Sequence, residues 1–222
     1  MFSTRKLFEY GGVAASIVLV AFGIAAIVMG VSGRDTVATS LKNEYIVGSP
    51  DMTPAAIKAE AQQAGIASKV TLWPSQSVAG KKIDSGSKAR VFAEYMRIHT
   101  LEATGGLTYA QMGRYQALSS APKSATDGRG GTNDPKYAVT DPKTKQPVAN
   151  GARDIWVTET ALTTALNTSY MADQLGLFAI VIGIALLLSG IGFSVLTLGG
   201  ALRGRLGGGE AKKPLAAPLV TG

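Results

Sequence analysis

The chain of 222 residues contains a single histidine, His99, in the stretch His99-Thr-Leu-Glu-Ala-Thr-Gly-Gly-Leu-Thr-Tyr-Ala-Gln-Met112. Imidazole is the most versatile acid, base and ligand a protein has near neutral pH, so this stretch is the first place to look for chemistry. Glu102 lies three residues further on, where a helix would bring it to the same face. A metal centre needs two or three more good donors. With no second histidine and no cysteine, all of those would have to be oxygens. The plainer reading makes His99 a structural residue in the last turn of a helix, where the dipole favours a partly positive ring. No metal and no cofactor is expected. Serine hydrolysis needs a base beside the nucleophile, and the serines lack the G-x-S-x-G elbow. Thiolate catalysis is excluded by composition. Carboxylate-pair hydrolysis cannot be read from singly scattered Asp and Glu.

Gly105-Gly106 imitates a phosphate loop only superficially. Both the Walker and the dinucleotide patterns need further glycines at fixed spacing, and neither is present. Gly105 fits a left-handed helix stop. Thr108-x-x-Gln111 fits a capping box for a following helix. His99, Glu102, Gly105, Gly106, Thr108 and Gln111 therefore read together as a structural bend, not a catalytic loop.

The elements around this bend decide the class of protein. Residues 11–33 and 174–202 are runs of 23 and 29 residues without a charge. About 20 apolar residues cross a bilayer core, so both qualify as transmembrane helices. The first run also exceeds a secretory h-region and precedes no convincing cleavage site, so it is expected to be retained. Basic residues flank the spans: Arg5 and Lys6 in the tail 1–10, and Arg203, Arg205, Lys212 and Lys213 in the tail 203–222. The positive-inside rule then puts both tails in the cytoplasm and residues 34–173 outside the cell membrane. That segment carries 16 basic and 13 acidic residues, too mixed for a nucleic-acid surface. The excess charge of the tails faces anionic lipid. Without cysteine, an exported segment must fold by packing alone.

Along that segment, helix from the first span is expected to continue to about Asn43, followed by extended chain at 45–47. Thr53, Pro54 and Gly65 mark a short alanine-rich helix as cap, first position and stop. Residues 69–73 alternate like a strand, and 78–86 look extended. Ser87 is expected to cap a helix over 88–104, with a shorter helix over 108–118. Residues 119–151 are poor in large apolar side chains and too long for an ordinary loop. They are expected to be mobile or to wrap around a partner or neighbouring subunit. From about Asp154 to Leu202 no breaker interrupts the pattern, which predicts one helix of roughly 70 Å. The fold class is thus a mainly α membrane protein, a two-span helical hairpin with an exported, mostly helical domain.

Within the spans, Ser16, Gly23 and Gly30 recur every seven residues, joined by Gly12 and Ala26. Gly176, Gly183 and Gly190 repeat the period in the second span. Small residues let helices approach closely in lipid, and a seven-residue period predicts near-parallel, left-handed packing. No ionisable residue lies in either span, which argues against an ion or proton path.

The run "VAGKKIDSGSKARVFAEYMRIHTLEATGGLTYAQM" resembles a family of small actinobacterial membrane proteins with two spans and an exported loop. The shared pattern is His-x-Leu-Glu-Ala-Ser/Thr-Gly-Gly-x-Thr-Tyr-Ala, met here by His99, Leu101 to Gly106 and Thr108 to Ala110. The flanking spans match more loosely, and the insert 119–151 and the helix near Pro54 depart from the pattern. Members often carry the label of aromatic ring-opening dioxygenase. Non-haem iron oxygenases commonly bind iron through two histidines and a carboxylate, and this chain has one histidine. The resemblance implies architecture and source, with no activity attached.

Two functional readings follow. The first is a non-catalytic assembly or accessory subunit, a homo-oligomer or part of a larger membrane complex, associating through its striped spans and exported domain. The alternative is an extracytoplasmic sensor or carrier for an envelope lipid or small molecule, with Trp73, Tyr95 and Trp156 as candidate pocket walls. A carboxylate-based envelope hydrolase is a weaker third.

Overall fold

The structure, a computed structural model, describes residues 4–199. Side chains before Tyr10 and that of Leu198 are not described, and the basic tail with Arg203, Arg205, Lys212 and Lys213 lies outside the described residues. The architecture is mainly helical, with two helices long and apolar enough to cross a membrane and few strands. In chain order come α1 (Thr4–Asn43), α2 (Pro54–Gln63), α3 (Gly86–Ala103), β1 (Tyr115–Gln116), β2 (Gly131–Thr132) and α4 (Gly151–Leu198). In the most apolar stretch of α1 and of α4, only 11% of residues are buried. A core helix of a soluble protein would be mostly covered. These faces suit lipid instead.

The chain divides into two compact units, residues 1–31 with 178–222, and residues 32–177. In the first, the spans meet along their small residues. A side-chain carbon on Gly23 would lie 2.8 Å from the Gly183 carbonyl oxygen. One on Gly190 would lie 2.9 Å from the Val20 nitrogen, and one on Gly12 2.8 Å from Thr197 Oγ1. Ser16 donates a hydrogen bond to the Gly190 carbonyl (2.9 Å) and also meets the Ser194 hydroxyl. Ser16, Gly23, Gly30, Gly176, Gly183 and Gly190 are all buried, while Ala26 and Gly12 are half-buried. The seven-residue stripes of 12–23 and 183–197 are thus spent on each other within one chain.

The second unit is built around α3. Tyr95, Ile98, Ala89 and Ala93 face a core completed by Ile57 and Ala61 of α2, Leu41 of α1 and Leu166 of α4. Caps set the local boundaries. Thr53 Oγ1 accepts from the Ala56 nitrogen (3.2 Å), Pro54 opens α2, and Gly65 follows it at φ +69°. The start of α3 differs from the sequence expectation. Ser85, not Ser87, is its N-cap, accepting from Lys88 N, and Gly86 is the first helical residue.

Two further expectations are corrected. Residues 69–73 form no strand: Ala67–Lys69 is a turn of 3-10 helix and the rest is irregular. The alternating sequence is not expressed as alternating burial: Val70 and Trp73 pack against the core while Thr71 and Leu72 both stay exposed. Nor is there a helix over 108–118. Half of the capping box forms, with Gln111 Oε1 accepting from Thr108 N (2.9 Å), and it closes a single turn. The backbone then enters β1, which pairs antiparallel with β2.

Residues 113–150 form a pinned arm rather than a featureless loop. Asp127 accepts from the nitrogens of Gly113, Arg129 and Gly131, all at 2.8 Å. Asn150 Nδ2 donates to the Gly113 carbonyl (2.9 Å), closing the arm at the start of α4. The arm holds its shape by polar backbone contacts, which is why its sequence is so poor in apolar residues.

Candidate functional site

α3 carries the residues singled out in the sequence. Its last turn ends as expected for a glycine stop: Gly105 and Gly106 have φ +62° and +81°, and Gly106 N donates to the Leu101 carbonyl (2.6 Å). Thr104 closes the turn by donating from Oγ1 to the Thr100 carbonyl (2.9 Å). Thr108 and Gln111 lie exposed beyond it.

His99 does not meet Glu102, which is exposed to solvent. Its ring instead turns toward α2 and the segment before it. His99 Nε2 lies 2.9 Å from Asp51 Oδ2 and 3.6 Å from Glu60 Oε2. One donor atom from each of the three residues falls within 4.8 Å of the others, and all three side chains are half-buried. Nε2 itself is closed off from solvent and makes no aligned hydrogen bond despite the short distance to Asp51. The Asp51 carboxyl is held below its ordinary range, first by the Ser49 side chain and also by His99, against an opposing burial cost. Sequence spacing could not have found this trio, because its members come from a loop, α2 and α3. The signal was Asp51 just before α2 and Glu60 within it, on a helix that the fold lays on α3.

A second polar cluster joins α3 to α4. The Arg97 guanidinium stacks 4.6 Å from the Trp156 ring and lies 2.9 Å from Glu159 Oε2. Glu159 is almost fully covered, and burial raises its carboxyl above the usual range, only partly offset by Arg97. About two turns earlier in α3, Arg90 stacks 5.0 Å from Tyr170. Between these helices runs a groove of about 580 Å³ lined by Arg90, Glu94, Arg97, Asn167 and Tyr170, among others. The proposed aromatic pocket wall changes accordingly. Tyr95 is a core residue, donating its hydroxyl to the Gln76 carbonyl (2.9 Å). Trp73 and Trp156 both pack against the core half-buried, and Trp156 also lines a groove beside α3.

At the edge of the second unit, Arg34 Nε donates to Asp173 Oδ1 at 2.9 Å. Asp173 is the last acidic residue before the second apolar run, and Arg34 the first charge after the other. Comparisons with protein-family models, curated proteins and solved structures give no match to this chain.

Proposed function

We propose that this chain is a cell-membrane protein with both termini cytoplasmic and residues 34–173 exported, acting as a non-catalytic assembly or accessory subunit. The observation that carries this reading is an apolar surface on the part of α4 that precedes the span. Val157 is 53% exposed there, in a shallow depression of about 550 Å³ that Tyr109, Trp156 and Ala161 also line, and Ile155, 47% exposed, faces away from it on another side of the helix. Apolar patches of this kind outside the bilayer mark protein contacts. The charged residues nearby are occupied in packing: Arg153 lies over the Tyr109 ring at 3.9 Å, and Arg97 over Trp156.

The glycine faces of residues 12–23 and 183–197 are used within the hairpin, so association falls to the outer faces and to the central domain. Purification in mild detergents tests the proposal. An oligomer or a co-purifying complex is expected, and it should weaken with Val157→Asp. A clean monomer in several detergents overturns it.

The sensor or carrier reading draws on the groove between α3 and α4, whose Arg90, Arg97 and Asn167 could orient a polar headgroup above an apolar floor. Native mass spectrometry distinguishes the two: a retained small molecule favours the carrier, a retained protein the subunit.

A further inference from the structure

We infer that Asp51, Glu60 and His99 form a binding site for one divalent transition cation of the zinc type. Three facts converge on it. The donors are an imidazole nitrogen and two carboxylates, a set that suits borderline cations better than magnesium or calcium, which favour all-oxygen shells. Their spacing also admits a cation, since all three ligand atoms lie within 4.8 Å of one another. Ligand atoms about 2.0–2.1 Å from a tetrahedral zinc lie roughly 3.3 Å apart, and Nε2 is 2.9 Å and 3.6 Å from the two carboxylate oxygens.

The third fact concerns Nε2 itself. It is shut away from water and lies close to Asp51, yet it makes no aligned hydrogen bond. A simple ion pair would point an N–H along that short contact. A nitrogen near two carboxylates and hydrogen-bonded to neither is one that a shared cation would satisfy. Three protein ligands leave a fourth position for water or a partner's donor.

The fold gives the cation a task. α2 buries only Ile57 and Ala61, a small apolar anchor for ten residues. A cation held by Asp51 before α2, Glu60 within it and His99 on α3 fastens this weakly anchored helix to the core. The expectation of no metal rested on the lack of a second histidine or a cysteine, which left only oxygens as further donors; here the loop before α2 and α2 itself bring two such oxygens to His99.

The test uses the full chain purified in detergent, stripped with a chelator and titrated with Zn²⁺ by calorimetry, with Mg²⁺ and Ca²⁺ titrated in parallel. One Zn²⁺ per chain is expected. His99→Gln and Glu60→Gln should each weaken binding about tenfold or more, while Glu102→Gln leaves it unchanged. At hundredfold excess over the dissociation constant, Zn²⁺ should raise the wild-type melting temperature by about 5 °C or more, and that of the two variants by much less. Co²⁺ added to the wild type should give visible bands of tetrahedral nitrogen and oxygen ligation, a readout that needs no variant to fold. No Zn²⁺ binding, binding equally tight in the His99→Gln/Glu60→Gln double variant, or tighter binding of Mg²⁺ or Ca²⁺ overturns the inference.

Discussion

Gly105 shows how much a single residue can decide. At φ +62° it sits where a side chain crowds the backbone, and a β-branched one most of all. A carbon added there would also lie 2.8 Å from Arg129 Cδ, a flexible neighbour that can move aside. The backbone term therefore dominates. Gly105→Val should destabilise the central domain by about 1–3 kcal/mol, read as a lower thermal midpoint; a midpoint equal to wild type would mean that the turn is not left-handed. Glu159 makes the opposite kind of prediction, one of pH. Its carboxyl binds a proton more tightly in the folded chain than in the unfolded one, because burial penalises the charge. The protonated form therefore favours folding, and that contribution is lost as pH rises from the unfolded value through the raised folded one. Glu159→Gln removes the titration while keeping the shape. The melting temperature of the variant relative to wild type should climb as pH rises through and above the ordinary glutamate range. A difference independent of pH, or one that shrinks, contradicts the burial argument.

At the scale of elements, what could be read from the sequence was what is written locally. Thr53, Pro54 and Gly65 delimit α2 because caps and stops act over a few residues, and the unbroken pattern from Asp154 onward gave a helix that begins at Gly151. The misreadings came where tertiary contacts rule. At 69–73 Val70 and Trp73 turn to the core together instead of alternating, and the turn at Thr108 leads into the arm's backbone pairing instead of a helix. The trio of Asp51, Glu60 and His99 was invisible for the same reason: two helices must pack before it exists. The seven-residue stripes lie between these cases. Their period was legible, but not whether they serve one chain or two. Cysteines at Ser16 and Ser194 settle this on a background without native cysteine. Because the two hydroxyls touch within the hairpin, oxidation of the double variant should crosslink a single chain, seen as a faster-running monomer on gels. Ser16→Cys alone should give no covalent dimer, since its surroundings are already filled. Efficient dimer formation by the single variant would assign the stripe to an intermolecular contact.

For the whole molecule, the proposed topology rests on parity and charge together. If both apolar helices cross the bilayer, everything between them lies on one side and both ends lie on the other. Which side is which rests on basic residues: Arg5 and Lys6 before the first span, and four more after the second. Reversing the chain would move all of these across the membrane, against the bias that retains Lys and Arg on the cytoplasmic side. The mixed charge of residues 34–173 offers little resistance to export, because long segments translocate largely regardless of charge. Single cysteines at Ser124, an exposed position on the arm, and at Ser3, which lies outside the described residues, make the prediction measurable. An impermeant thiol reagent on intact cells should label the Ser124→Cys variant. It should label Ser3→Cys only after the membrane is opened. Labelling of both positions in intact cells would mean that only one helix spans, and labelling of Ser3→Cys alone would place the central domain, with its cation site and its apolar α4 surface, in the cytoplasm.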